Sequence, residues 1–124
     1  MLKKIDFLRL CDKMGKHSFK EFPRECCGII TTTFDYIETK NISPKPKNSF
    51  IVDPISILEY EDSIWGFFHS HPGAEDPIPS KQDVYSTVFS EYRFIVGFGN
   101  KFYIYWLEED NLKFEEFNES HCSI

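Results

Sequence analysis

One nine-residue run, SIWGFFHSH at positions 63–71, limits what this chain can fold into. Side chains alternate across a strand, so Trp65, Phe67, His69 and His71 fall on one face, and Gly66, Phe68 and Ser70 on the other. Apolar residues on both faces need cover on both sides, so the run reads as a buried central strand. Its end then presents two imidazoles, His69 and His71, on the same face.

The rest of the chain supplies the cover. Phe7, Leu10, Cys11 and Met14 stand at i, i+3, i+4 and i+7, which predicts an amphipathic helix over residues 2–20. Gly15 is a candidate end, with a short extension to Phe22, and Pro23 enforces a break. Residues 26–33 (CCGIITTT) are β-branched and predict a strand. Phe34 and Asp35 form the expected turn into a second strand over 36–42. A loop with two prolines follows at 43–47, then a short extended piece at 50–52. Asp53-Pro54 predicts a helix start, because aspartate caps orphan N–H groups and proline lacks one at the first helical position. That helix is expected to reach Glu61. A loop is expected at 72–79, a helix at 80–90, and strands at 92–98, 102–107 and 112–117, the first two joined by a Gly99-Asn100 turn. Residues 118–124 are expected to be loosely held.

The 124 residues therefore predict a single α/β domain over 1–124, able to bury a core without staples. A net charge of −6 without a dense basic patch argues against nucleic acid as a partner and against an anionic membrane surface. No run of about 18 apolar residues predicts a membrane span. The charged N-terminus (MLKKIDFLRLCDKMGK) lacks an apolar signal region, so cytoplasmic synthesis is expected. The four cysteines, Cys11, Cys26, Cys27 and Cys122, make no C-x-x-C pair and read as small buried hydrophobes.

Two imidazoles and a carboxylate can build a divalent-metal site with an open fourth position. Asp83 is the candidate carboxylate. It shares a helix face with Ser80 at i, i+3. The same pair also fits a capping box, in which Ser80 caps the helix and Asp83 reaches back to its first N–H. The two readings differ on where the Asp83 carboxylate points. Glu75 and Asp76 are alternative carboxylates on a less precise loop. Iron(II) uses the same ligand types as zinc, so the ligands alone do not fix the metal. His17 and His121 read as surface or hydrogen-bonded residues.

HSHP, a loop, and then P-S-x-x-D resembles the signature of the JAMM/MPN-domain (JAB) metallopeptidases. Two further stretches carry the likeness: FPRECCGII at 22–30, and NISPKPKNSFIVDP at 41–54. The second of these is most similar to the peptidase domain of lambda-like phage tail tip proteins of the K type. The resemblance spans about residues 7–117. It implies a curved mixed sheet with a long N-terminal helix, a middle helix and a helix opening at Ser80, in cytidine-deaminase-like layering, with the site at one sheet edge. It implies one zinc ion per chain, held by His69, His71 and Asp83. Glu25 is then the general base or acid, and Ser80 helps to hold the oxyanion. Eleven residues separate His71 from Asp83, one more than is typical of eukaryotic members, and the extra one belongs to the 72–79 loop. The implied function is hydrolysis of a peptide or isopeptide bond in a phage tail or prophage setting, in the host cytoplasm during assembly or on the virion tail. The implied partners are a protein or peptide substrate, phage tail proteins, and the NlpC-type cysteine peptidase domain that such tail proteins usually carry. Two alternatives keep the fold. One is a tail-assembly or virion-binding module with dispensable activity. The other is a stand-alone cellular peptidase releasing a ubiquitin-like or sulfur-carrier protein.

Overall fold

A computed structural model describes residues 2–83 and 91–123. Helix α1 (Lys4–Glu21) leads into strands β1 (Cys27–Thr31) and β2 (Tyr36–Thr39). Helix α2 (Pro54–Tyr60), β3 (Ile64–Ser70), β4 (Arg93–Phe98), β5 (Lys101–Glu108) and β6 (Asn111–Glu116) follow. The strands form one six-stranded mixed sheet in the order β2-β1-β3-β4-β5-β6. Only β3 and β4 run parallel among these pairs. The α/β architecture expected from the sequence is therefore present.

Strand β3 has neighbours on both sides, as its two apolar faces require. The expectation of a site at a sheet edge needs correction for the same reason. His69 and His71 lie at the carboxyl end of an interior strand, next to a parallel neighbour, which is where open α/β sheets place their crevices.

The alternation along each strand splits the core in two. Leu10 and Met14 of α1 pack with Cys26, Ile30, Phe68, Ile95, Phe102 and Ile104. Phe94, Val96 and Tyr105, with Phe67, Tyr103 and Leu112, form a second cluster. The residues of the second cluster alternate with those of the first along β3, β4 and β5, so they line the opposite face.

Gly15 does not end α1; the helix runs through it to Glu21. A β-carbon at Gly15 would stand 2.2 Å from the Gly99 carbonyl oxygen in the turn between β4 and β5. Ser18 fixes the same contact, its Oγ accepting the Gly99 N–H at 3.0 Å. The glycine is there for close approach. In an exposed helix interior Gly→Ala stabilises by about 1 kcal/mol. At Gly15 the sign is expected to reverse, with Gly15→Ala destabilising by about 1–3 kcal/mol through overpacking against backbone. Urea unfolding midpoints of the two proteins check this.

Other local expectations meet definite outcomes. Asp53 accepts the Ile55 N–H at 3.0 Å and Pro54 opens α2, as predicted; a short 3-10 turn, Glu61–Ser63, follows it. The helix expected over 80–90 falls mostly on residues 84–90, outside the described residues. Strands β5 and β6 meet in a two-residue turn at Glu109 and Asp110, whose φ values are +51° and +64°. Within 118–123, Ser123 donates from its N–H and its hydroxyl to the Leu2 carbonyl at 2.8 and 3.1 Å. No helix among the described residues is long and apolar enough to cross a membrane.

Candidate metal centre

The register between β1 and β3 builds the site. Cys27 stands opposite His69, and Gly28 opposite Phe68. One step further, the Ser70 N–H donates to the Cys26 carbonyl at 3.0 Å, and the Ser70 hydroxyl accepts the Cys26 N–H at 2.8 Å. Continuing the ladder puts Glu25 opposite His71. Directly opposed residues share a face of the sheet. Ligand atoms of Glu25, His69 and His71 accordingly lie within 4.8 Å of one another, and the group is mostly buried.

Asp83 closes on the same point from beyond the loop. Its Oδ1 lies 3.0 Å from His69 Nε2, its Oδ2 lies 3.3 Å from His71 Nε2, and the two Nε2 atoms are 3.3 Å apart. Oδ2 also accepts the Ser80 N–H at 2.8 Å. One carboxylate thus reaches back to the Ser80 backbone, as the cap reading expects, and also faces the two imidazoles. A tetrahedral ion with bonds near 2.0–2.1 Å sets its ligands about 3.3–3.4 Å apart. The two Nε2 atoms, 3.3 Å apart, match that spacing, and the donor set of two nitrogens and a carboxylate suits such an ion. Glu25 belongs to the wider group.

The electrostatics follow from burial and from the Asp83 charge. Burial lowers the pKa of His69, and the hydrogen bond and charge of Asp83 only partly oppose it. At His71 burial also pulls down, but Asp83 and Glu25 outweigh it and the pKa is raised. Burial pushes the Asp83 carboxyl up, yet the two imidazoles and the Ser80 N–H hold it well below the usual carboxylate range. Glu25 is pushed up to about 7, chiefly by burial, with His71 opposing and Asp83 adding to the shift.

A pocket of about 300 Å³ opens here, lined among others by Glu25, Ser49, Phe50, His71, Ser80 and Asp83. Ser80 is exposed at its rim. Glu25, His69, His71, Ser80 and Asp83 are therefore brought together. The alternative carboxylate Asp76 is not: it accepts the Tyr103 hydroxyl and lies 3.3 Å from Lys101 Nζ. Glu75 lines a different cavity, beside Lys101 and Phe98. His17 is buried, with Nδ1 2.7 Å from the Tyr36 hydroxyl, and His121 Nε2 lies 2.9 Å from a Glu115 oxygen, so both take hydrogen-bonded roles. All four cysteines are free, and burial pushes the Cys26 and Cys27 thiols up to about 12 and 11.

Phe50 went unnoticed in the sequence. Its ring stacks on the His69 imidazole, with centroids 4.3 Å apart and planes 16° from parallel, while Tyr105 meets that imidazole edge-on. Nothing in local periodicity marks a lone phenylalanine in a loop as a wall for a histidine.

The model of the family described as prokaryotic homologs of the JAB domain matches residues 8–97. The tail tip assembly protein K of Escherichia phage N15 is 34% identical over 79 aligned residues, covering 58% of this chain and 31% of that protein. A desampylase of Haloferax volcanii is 34% identical over 74 aligned residues, covering 49% of this chain and 52% of that protein. The match thus spans about a third of the first relative and half of the second.

Proposed function

The chain belongs to the prokaryotic homologs of the JAB domain, and on that premise we propose that it is a zinc-dependent hydrolase of peptide or isopeptide bonds. The observation that carries this is the convergence of the His69 and His71 imidazoles and the Asp83 carboxylate, with contacts of 3.0–3.3 Å between them and a buried carboxyl, Glu25, beside them. In this reading His69, His71 and Asp83 hold the ion. Zinc bound there would lower the pKa of a water to about 7 and polarise a carbonyl.

The chain's own residues do the rest. The Glu25 carboxylate accepts the proton of the attacking water as oxygen bonds to the carbonyl carbon. Its carboxyl then gives that proton to the departing nitrogen as the C–N bond breaks. A pKa near 7 suits both halves of that exchange. The Ser80 hydroxyl, at the pocket rim, donates to the oxygen that gains charge near the transition state. Asp83 carries a negative charge between the two imidazoles and is oriented by the Ser80 N–H, an outer bond of the kind that fixes ligand direction.

Likeness to a phage tail tip assembly protein supports a phage tail or prophage setting, with a protein or peptide substrate. Likeness to a desampylase favours a second reading, a cellular enzyme that releases a ubiquitin-like or sulfur-carrier protein from its conjugate. The comparisons give no support to an accompanying NlpC-type domain, and it forms no part of the proposal. The complete set of site residues argues against a module with dispensable activity. Metal analysis of the purified chain is expected to find about one zinc per chain, with hydrolysis lost on chelation and restored by zinc. A chain that stays metal-free at neutral pH with zinc supplied overturns the proposal.

A further inference from the structure

Glu25 lies two residues before Cys27, the first paired residue of β1, so the sheet ladder does not hold it on the β2 side. On that side the register pairs Cys27 with Thr39 and Gly28 with Glu38. Extended by two residues, it sets Asn41 opposite Glu25. The Asn41 side chain occupies that place. Its Nδ2 donates to the Glu25 carbonyl at 2.9 Å and to the Ser49 carbonyl at 3.0 Å. Its Oδ1 accepts the N–H groups of Ser43 and Ile51, each at 3.0 Å. Two donors and two acceptors are the full capacity of a carboxamide, and all are used.

The same segment holds the other side of Glu25. The Glu25 N–H donates to the Pro46 carbonyl at 2.7 Å. The segment is closed by a bridge between Asn41 and Val52 and by the Ile42 N–H on the Ile51 carbonyl at 3.0 Å. Inside it the Ser49 N–H donates to the Lys45 carbonyl at 3.0 Å. Ser49 and Phe50 of this segment line the pocket, and Phe50 stacks on His69.

We propose that Asn41 is a positioning residue: it locks the backbone of Glu25 to the 43–50 pocket wall, so that acid/base group and wall form one unit. This rests on the role given to Glu25 above. Aspartate at 41 keeps both acceptor bonds and loses both donor bonds. Alanine loses all four.

The test reads amide hydrogen exchange in the metal-free chain, independently of catalysis, and then kinetics with zinc. In Asn41→Ala the Ser43 and Ile51 amides, which lose their acceptor, and the Glu25 amide, whose bond to the Pro46 carbonyl loses the support of the locked wall, are expected to exchange about tenfold faster or more, the scale of one or two lost hydrogen bonds. In Asn41→Asp the Glu25 amide loosens by a similar factor while Ser43 and Ile51 keep their protection. The Ile29, Phe68 and Ile95 amides stay as in the parent in both variants. With zinc content unchanged, kcat of Asn41→Asp falls about tenfold or more, while KM moves far less, the mark of a contact needed in the transition state. An unchanged Glu25 amide, core amides that loosen in step with it, or a rise in KM alone overturns the proposal. The exchange result stands even if no hydrolysis is found, so failure here and failure of the hydrolase reading are separable.

Discussion

Glu25→Gln is expected to lower hydrolysis by about 10²–10⁴-fold, the usual share of a positioned acid/base group, while zinc stays at about one per chain. The substitution is close to isosteric, so it leaves no cavity in a site where Glu25 is only 8% exposed. A carboxamide cannot take a proton from water, whereas a carboxyl with a pKa near 7 can both take and return one. Folding should tolerate the change, because burial already disfavours the charged form of this side chain. The variant also separates two roles that geometry brings close. Ligand atoms of Glu25, His69 and His71 share a sphere of 4.8 Å, but Asp83 lies nearer both imidazoles, at 3.0 and 3.3 Å. Loss of zinc together with hydrolysis in Glu25→Gln would make Glu25 a ligand instead. Unaltered turnover would remove it from the chemistry.

Asp83→Asn is expected to weaken zinc binding by more than about 100-fold. Changes to the outer partners of metal ligands already cost 10–100-fold, and under the proposed ligand set this one removes the charge of a direct ligand. The variant keeps an oxygen able to accept the Ser80 N–H, so the local turn is spared. The cap reading alone therefore predicts almost no effect, and the ligand reading predicts loss of metal. Zinc titration decides between them, with thermal unfolding measured with and without zinc as the second readout. In the parent, zinc should raise the unfolding temperature, because an ion that binds only the folded chain stabilises it by mass action. In Asp83→Asn that rise should shrink or vanish. An equal rise in both proteins would reduce Asp83 to a helix cap.

The site was legible in the sequence to the extent that it rests on short-range pattern. His69 and His71 follow from strand alternation, and the Asp53-Pro54 start of α2 follows from capping chemistry. Glu25 was not legible from its own surroundings; only the resemblance singled it out. Its place depends on strand pairing that, beside the site, joins residues more than forty apart in the chain (Cys27 with His69), which no local window contains. Asp83 was ambiguous because both of its partners are real, and spacing cannot choose between two contacts made by one carboxylate. Gly15 was misread because its reason lies in the Gly99 carbonyl, far along the chain. The turn at Glu109 and Asp110 carries neither asparagine nor glycine, the usual sign of two successive positive φ values. Asn41 stood inside the NISP stretch, but its four bonds need the folded loop before they can be counted.

The split of the core by strand parity has a consequence for how such a chain can change over generations. Ile30, Phe68 and Ile95 serve the helix-covered face, while His69, in the middle of the same sheet, serves the other. Drift in the first set alters how tightly α1 is seated and leaves the imidazoles where they are. A lineage could thus retune its thermal tolerance on one side of the sheet and its chemistry on the other. A laboratory seeking a hardier scaffold can likewise confine its library to the α1 side.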